Sequence, residues 1–263
     1  MRDEFPDAEF VDRSTFDITN PASWESRNWR QYQAIINAAA YTKVDEAETR
    51  EGRKQAWLVN VEGVKNLAKV ATENHLTLIH ISTDYVFDGV ENKHDEGEVL
   101  SPLGVYGQTK AAGDMAAATV PKHYIVRTSW VVGDGNNFVK TMKSLAEKGV
   151  KPSVVDDQVG RPTFADDLAK SIKHLVGTTP AYGTYNVSGA GVHVSWADLA
   201  KRIYELTGHD ASNVTGVTTE NYYSGKQGTA PRPLQSTLAL EKIIATGFTP
   251  TDWDASLQAY LSE

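Results

Sequence analysis

A tyrosine and a lysine four residues apart, Tyr106 and Lys110, open a helix-like stretch over 106–119. At that spacing both side chains share one helix face. A phenol with a pKa of about 10 exchanges protons poorly at neutral pH, and a neighbouring ammonium lowers that value by favouring phenolate. The pair therefore suits general acid–base work, although the same spacing also arises by chance on a solvated helix.

A second chemical group precedes it. The run LIHISTDYVFDG (78–89) reads as a buried strand ending in Ser82-Thr83-Asp84 and then a turn. A hydroxyl at a strand end, about twenty residues before the tyrosine, can hydrogen-bond the substrate oxygen that a phenol protonates. Turn or cap formation is the ordinary use of such residues, and for Asp84 capping and substrate contact weigh equally.

These groups need a frame to hold them. Short apolar runs, AEFV (8–11), AIIN (34–37), LTLIHIS (76–82), HYIVRTS (123–129) and PSVV (152–155), alternate with helical patterns at 21–31, 50–74, 106–119 and 137–148. That rhythm predicts parallel strands joined by helices, an α/β doubly wound sheet. Beyond 156 the patterns are helical at 165–176, 195–207, 236–245 and 252–261, with one short strand at 184–187. Ser195 followed by Asp198 reads as a helix cap. The division expected is a sheet-bearing lobe at 1–155 and a smaller mixed lobe at 156–263, interleaved as one unit. Ligands in such sheets lie beyond the carboxyl ends of the strands, where loops 38–47, 82–101 and 129–136 should converge.

The 263 residues carry a formal charge of −8 and no cysteine. No basic run exists to engage a polyanion, so neither a nucleic-acid nor an anionic-membrane partner is expected. Without cysteine there is no disulfide framework or thiolate metal site, and no residues are assigned to a metal. No stretch reaches the roughly 18 apolar residues of a membrane span, and a cytoplasmic location is expected.

NAAAYTKVDEAE (37–48), STDYVFDG (82–89), SPLGVYGQTK (101–110), RTSWV (127–131), NNFVKTM (136–142), DDQVGRPT (156–163) and APRP (230–233) follow one another through nearly the whole chain. Together they resemble the successive motifs of the dTDP-4-dehydrorhamnose reductases, members of the extended short-chain dehydrogenase/reductase superfamily. The resemblance implies reduction of the 4-keto group of a dTDP-6-deoxy-L-lyxo-4-hexulose to dTDP-L-rhamnose, with NADPH or NADH as cofactor and a dTDP-sugar as partner.

The same resemblance distributes roles. Tyr106 protonates the developing alkoxide, Lys110 lowers the tyrosine's pKa and holds the nicotinamide ribose, and Thr83 orients the carbonyl. Ala40, Tyr41, Thr42 and Ile81 line the cofactor. Asp12, at the end of the AEFV strand, fits the acid that binds the adenosine ribose, with Arg13 beside it open to a 2′-phosphate, and Asp17 and Ile18 match the adenine side. Trp130 is implied to touch substrate, together with Thr83 and Asp84. Asn137, Gln158, Arg161 and Arg232 are polar candidates for the nucleotide-diphosphate end, with surface or lobe-bridging roles equally open. Arginine suits phosphate through its planar fork.

One departure stands out. The family pattern opens with a strand, a GxxGxxG-type turn and a helix before its ribose-binding acid, whereas here Asp12 arrives almost at once. About the first 25–30 residues of the pattern are absent, and with them the turn that presents backbone N–H groups to pyrophosphate. Either the chain is truncated, or a homodimer partner, a fusion or another segment supplies that unit, and the chain as written is expected to bind NADPH weakly or not at all. Two other readings share the fold. A non-catalytic regulatory subunit, like the beta subunit of methionine adenosyltransferase, would not need Thr83, Tyr106 and Lys110 together. A 4,6-dehydratase would carry Asp-Glu after the threonine, where this chain has Asp84-Tyr85; a 4-epimerase or another nucleotide-sugar reductase belongs to the same neighbourhood.

Overall fold

The computed structural model describes residues 1–25 and 27–262. In chain order the elements are α1 (Ala22–Glu25), β1 (Ala34–Asn37), α2 (Arg50–Trp57), α3 (Val64–Glu73), β2 (Thr77–Thr83), α4 (Val105–Ala117), β3 (His123–Thr128), β4 (Val131–Val132), α5 (Phe138–Glu147) and β5 (Ser153–Val155). They continue with β6 (Val159–Gly160), β7 (Thr163–Phe164), α6 (Ala165–Thr178), β8 (Gly183–Asn186), β9 (Val194–Ser195), α7 (Trp196–Leu206), β10 (Thr215–Val217), α8 (Thr219–Tyr223), α9 (Glu241–Ala245) and α10 (Trp253–Ser262).

The frame of the site is a parallel sheet in the order β1-β2-β3-β8. Its central strands pair in a register that sets Ile79 beside Tyr124 and Thr83 beside Thr128. Leu78 and Ile79 are both fully buried on neighbouring positions of β2, as a parallel strand covered on both faces requires. On one face Leu78 and Ile125 pack with Val64, Leu67, Ala68 and Ala71 of α3. On the other, Ile79, Tyr124, Val126 and Tyr185 meet Leu168, Ile172 and Leu175 of α6. Helices on both faces of a parallel sheet make the α/β doubly wound architecture. Strand β8 lies in the second half of the chain yet completes this sheet beside β3.

A further cluster, with Val139 and Met142 of α5, Leu199 and Ile203 of α7, and Trp253 and Leu257 of α10, packs beyond the sheet. Helix α7 starts with a reciprocal capping box between Ser195 and Asp198, as its sequence predicts. No helix among the described residues is long and apolar enough to cross a membrane.

Several elements differ from the sequence expectation. Residues 8–11 form no strand, and Phe10 and Val11 stay exposed. A strand is held by its neighbours, and β1, the edge of the sheet, is not paired with this run. The 21–31 helix is reduced to α1 and a 3₁₀ turn at Trp29–Gln31, with Ser26 between them outside the described residues. The long 50–74 pattern is helical throughout but contains a π-helical turn at Leu58–Gly63. Strand β5 forms, but it pairs with β10 rather than with the main sheet. Helix 236–245 shrinks to α9 because residues 235–239 spend their backbone groups elsewhere: Gln235, Ser236 and Ala239 donate to Gly89, Val159 and His94.

Candidate active site

Thr83 ends β2, and its hydroxyl accepts the Tyr85 amide at 3.2 Å and donates to Asp84 at 2.9 Å. The following helix, α4, carries Tyr106 and Lys110 one turn apart. Two glycines let α4 come close enough to matter. A Cβ on Gly107 would sit 2.2 Å from the Tyr85 carbonyl oxygen, and one on Gly113 would sit 2.4 Å from that of Asn60. The phenol of Tyr106 thereby reaches the Thr83 hydroxyl, and its ring meets Tyr85 edge-on with centroids 5.6 Å apart. The strand-end threonine, the tyrosine and the lysine are therefore brought together.

Their protonation differs from the simplest expectation. Burial pushes Tyr106 up to about 12, with Thr83 pulling the other way. Lys110 is not what sets that value. Its Nζ donates to the Ile81 carbonyl at 2.7 Å, because a buried ammonium needs an acceptor, and lies 3.5 Å from His80 Nε2. Burial brings Lys110 down to about 8, with the Asp114 carboxylate opposing the shift. Asp84 is raised to about 6 by burial.

The segment after β1 reaches the same end of the sheet. Tyr41 and Tyr106 pack against one small cluster of Ala47, Ala56 and Val105. Ala38, Ala39 and Thr42 are exposed and Ala40 half-buried. Ile81, half-buried on β2, presents its carbonyl to Lys110 and packs its side chain against the cluster of Ile79, Tyr124 and Val126.

The N-terminal predictions fare differently. Asp12 stands in a turn, its carboxylate accepting from Ser14 and Thr15, because the strand meant to present it does not form. Asp17 caps Thr19 in the same way. Ile18 is buried, packed against Gly63 in the α3 cluster. None of these joins the Tyr106 constellation.

Trp130 follows β3 in a left-handed backbone conformation, φ 48°, and stacks on Trp196 with centroids 3.7 Å apart. Gln158, Trp196, Tyr85, Tyr222, Tyr223 and Arg232 face a cavity of about 390 Å³. Arg232 donates to both carboxylate oxygens of Asp45 at 2.8 and 2.9 Å and covers the Tyr223 ring. Two of the polar candidates serve the scaffold instead. Asn137 caps α5 and donates to Gly133 and the Tyr260 hydroxyl, and Arg161 donates to the Leu238 carbonyl.

Sequence reasoning missed four residues that build this site. Glu48 accepts the Val105 amide at 2.8 Å and so caps the helix bearing Tyr106 from a distant loop. Asn60, buried in the π turn, ties Tyr41 to Thr109. His80 and Asp114 lie beside Lys110. Only Asp114 left a signal, since it continues the four-residue spacing of Tyr106 and Lys110.

The family described as RmlD substrate binding domain matches residues 7–263. The chain belongs to this family. Among its relatives, a dTDP-4-dehydrorhamnose reductase of Aggregatibacter actinomycetemcomitans is 40% identical, the match covering 94% of this chain and 87% of the relative. The spore coat polysaccharide biosynthesis protein SpsK of Bacillus subtilis is 38% identical over 89% and 80%. The crystal structure of a Bacillus anthracis dTDP-4-dehydrorhamnose reductase in complex with NADP is similar at a TM-score of 0.87 and 36% identity, covering 97% of this chain and 90% of that one. Membership of the RmlD family agrees with the site's position at the carboxyl end of the sheet.

Proposed function

We propose that this RmlD-family chain reduces the 4-keto group of dTDP-4-dehydro-6-deoxy-L-mannose to dTDP-L-rhamnose, with NADPH or NADH as the reductant. The observation that carries the reading is the convergence of Thr83, Tyr106 and Lys110 beside a cavity walled by aromatic rings and Arg232. Relatives of 36–40% identity bear the name of that reductase.

The residues suit a nicotinamide at this end. The small, accessible run Ala38–Ala40 beyond β1 leaves a dinucleotide room to approach, and Tyr41, Thr42, Ile81, Tyr106 and Lys110 would hold its nicotinamide half. When bound, the cofactor supplies the hydride to the carbonyl carbon. The rest belongs to the chain. With its pKa pushed up to about 12, Tyr106 keeps its proton at neutral pH and delivers it to the oxygen as charge develops there. Thr83 donates a hydrogen bond to the same oxygen and orients it, turning from its present partner Asp84. Lys110 places a positive charge near the phenol, stabilising the phenolate left behind. In the cavity wall Arg232 would turn its planar fork from Asp45 to diphosphate, and Tyr222, Tyr223 and Trp196 offer faces to a base. Asp12, Asp17 and Ile18 would serve the adenosine end of the cofactor, away from the Tyr106 constellation.

The test is oxidation of NADPH in the presence of dTDP-4-keto-6-deoxy-L-lyxo-hexulose, with dTDP-L-rhamnose identified as product. Ketone-dependent turnover is expected. Its absence in a folded, cofactor-saturated chain would favour the regulatory-subunit reading instead.

A further inference from the structure

We propose that Asp114 is a positioning residue that keeps Lys110 charged, acting from behind the site through a buried His80 edge. The inference rests on the reductase reading for its relevance to turnover, but its geometry stands independently.

Lys110 is buried at 2% exposure, and so is Asp114 one turn further along α4. The ammonium faces His80 on β2, with the Asp114 carboxylate of α4 in the same pocket and Arg127 of β3 bound to that carboxylate. His80 Nε2 lies 3.5 Å from Lys110 Nζ and 3.7 Å from Asp114 Oδ1. Its tautomer is set from the other side. Asn37 Oδ1 accepts the Ala39 amide at 3.1 Å, so Asn37 Nδ2 faces His80 Nδ1 at 3.0 Å, and Nδ1 must accept. The proton then sits on Nε2. Burial and the Lys110 charge hold the ring well below its ordinary pKa, so it stays neutral and offers Lys110 no counter-charge.

Among the described residues, the anion left for Lys110 in this pocket is Asp114. Arg127 Nε donates to Oδ2 at 3.1 Å, and the Ser82 hydroxyl lies alongside. Oδ1 makes no hydrogen bond among the described residues and points at the His80 edge that Lys110 also faces. Asp114 is in fact the one neighbour that raises Lys110 against burial. A carboxylate placed only to satisfy Arg127 would not need to leave one oxygen unbonded at the His80 edge.

The experiment labels lysine Cε with ¹³C in the full chain, assigns the Lys110 resonance with Lys110→Arg, and follows it with pH. Wild type should titrate near pH 8, and Asp114→Asn should lower that midpoint by about one pH unit or more, since an opposite charge has been removed. Asp114→Glu should restore it. An unchanged midpoint in a folded Asp114→Asn chain overturns the proposal. If that variant does not fold, wild type labelled in addition at the aspartate carboxyl carbon decides alone: the Asp114 carboxyl must shift in the same step as Lys110 Cε, and a Lys110 step with no response there overturns it too. These readouts need no turnover, so they separate this proposal from the reductase assignment. With turnover in hand, the alkaline limb of kcat should move with the midpoint.

Discussion

Asn60 grips both backbone polar groups of Tyr41: its Oδ1 accepts the Tyr41 amide at 2.8 Å and its Nδ2 donates to the Tyr41 carbonyl at 3.1 Å. The same Nδ2 lies 3.0 Å from the Thr109 hydroxyl on α4. One buried amide thus fixes the loop beyond β1 against the helix that carries Tyr106 and Lys110. Replacing it by alanine leaves a backbone amide, a carbonyl and a hydroxyl without their partner. Asn60→Ala should lose about 2–4 kcal/mol of stability, read by denaturant unfolding. A loss below about 0.5 kcal/mol would mean that water takes over these bonds at no cost.

Tyr106→Phe removes the proton donor while keeping the ring that packs against Tyr85 and the Ala47 cluster. Turnover of the keto-sugar should fall by about 10²–10⁴-fold, with the thermal midpoint nearly unchanged. Retention of wild-type kcat would remove Tyr106 from the proposed chemistry. The high pKa adds a second expectation. No pH limb below about 10 should belong to Tyr106, and the limb near 8 should belong to Lys110.

Asp84 gives a pH-dependent stability. Burial raises its carboxyl from 3.8 to about 6, so the folded chain holds this proton more tightly than the unfolded chain. Its contribution is fully present below about pH 4 and lost as the pH rises through about 6. The stability of wild type relative to Asp84→Asn should therefore decline between pH 4 and 7, by about 3 kcal/mol at most. A difference that stays flat across that window would show that Asp84 is not burdened by burial.

Trp130 is expected to matter twice. Its ring stacks on Trp196, which walls the cavity, and covers Gly160, where a Cβ would approach it to 3.0 Å. Its left-handed φ is costly for a bulky residue and is held by that stack. Trp130→Ala should destabilise the chain by about 2–3 kcal/mol and raise KM for the dTDP-sugar more than it lowers kcat. An unaltered KM would confine Trp130 to packing.

What the sequence determined by itself is local chemistry. Tyr106 and Lys110 share a helix face because their spacing matches the helical turn, and Thr83 stands at a strand end because the apolar run before it must be buried. The motifs from Asn37 to Pro233 mark the family for the same reason, each being a short contiguous stretch.

The tertiary structure decided the rest. Asp114 looks in the sequence like one more acid on a helix, and only packing against β2 and β3 places it with His80 and Arg127, 34 and 13 residues away. The pKa values of Tyr106 and Lys110 were likewise open until burial was known, since desolvation is the largest influence on both and, for Lys110, outweighs the opposing Asp114 charge. The failure of AEFV as a strand has the same root. A short apolar run states a preference, but a strand exists only where another offers it a ladder of hydrogen bonds, and that depends on what stands beside it in space.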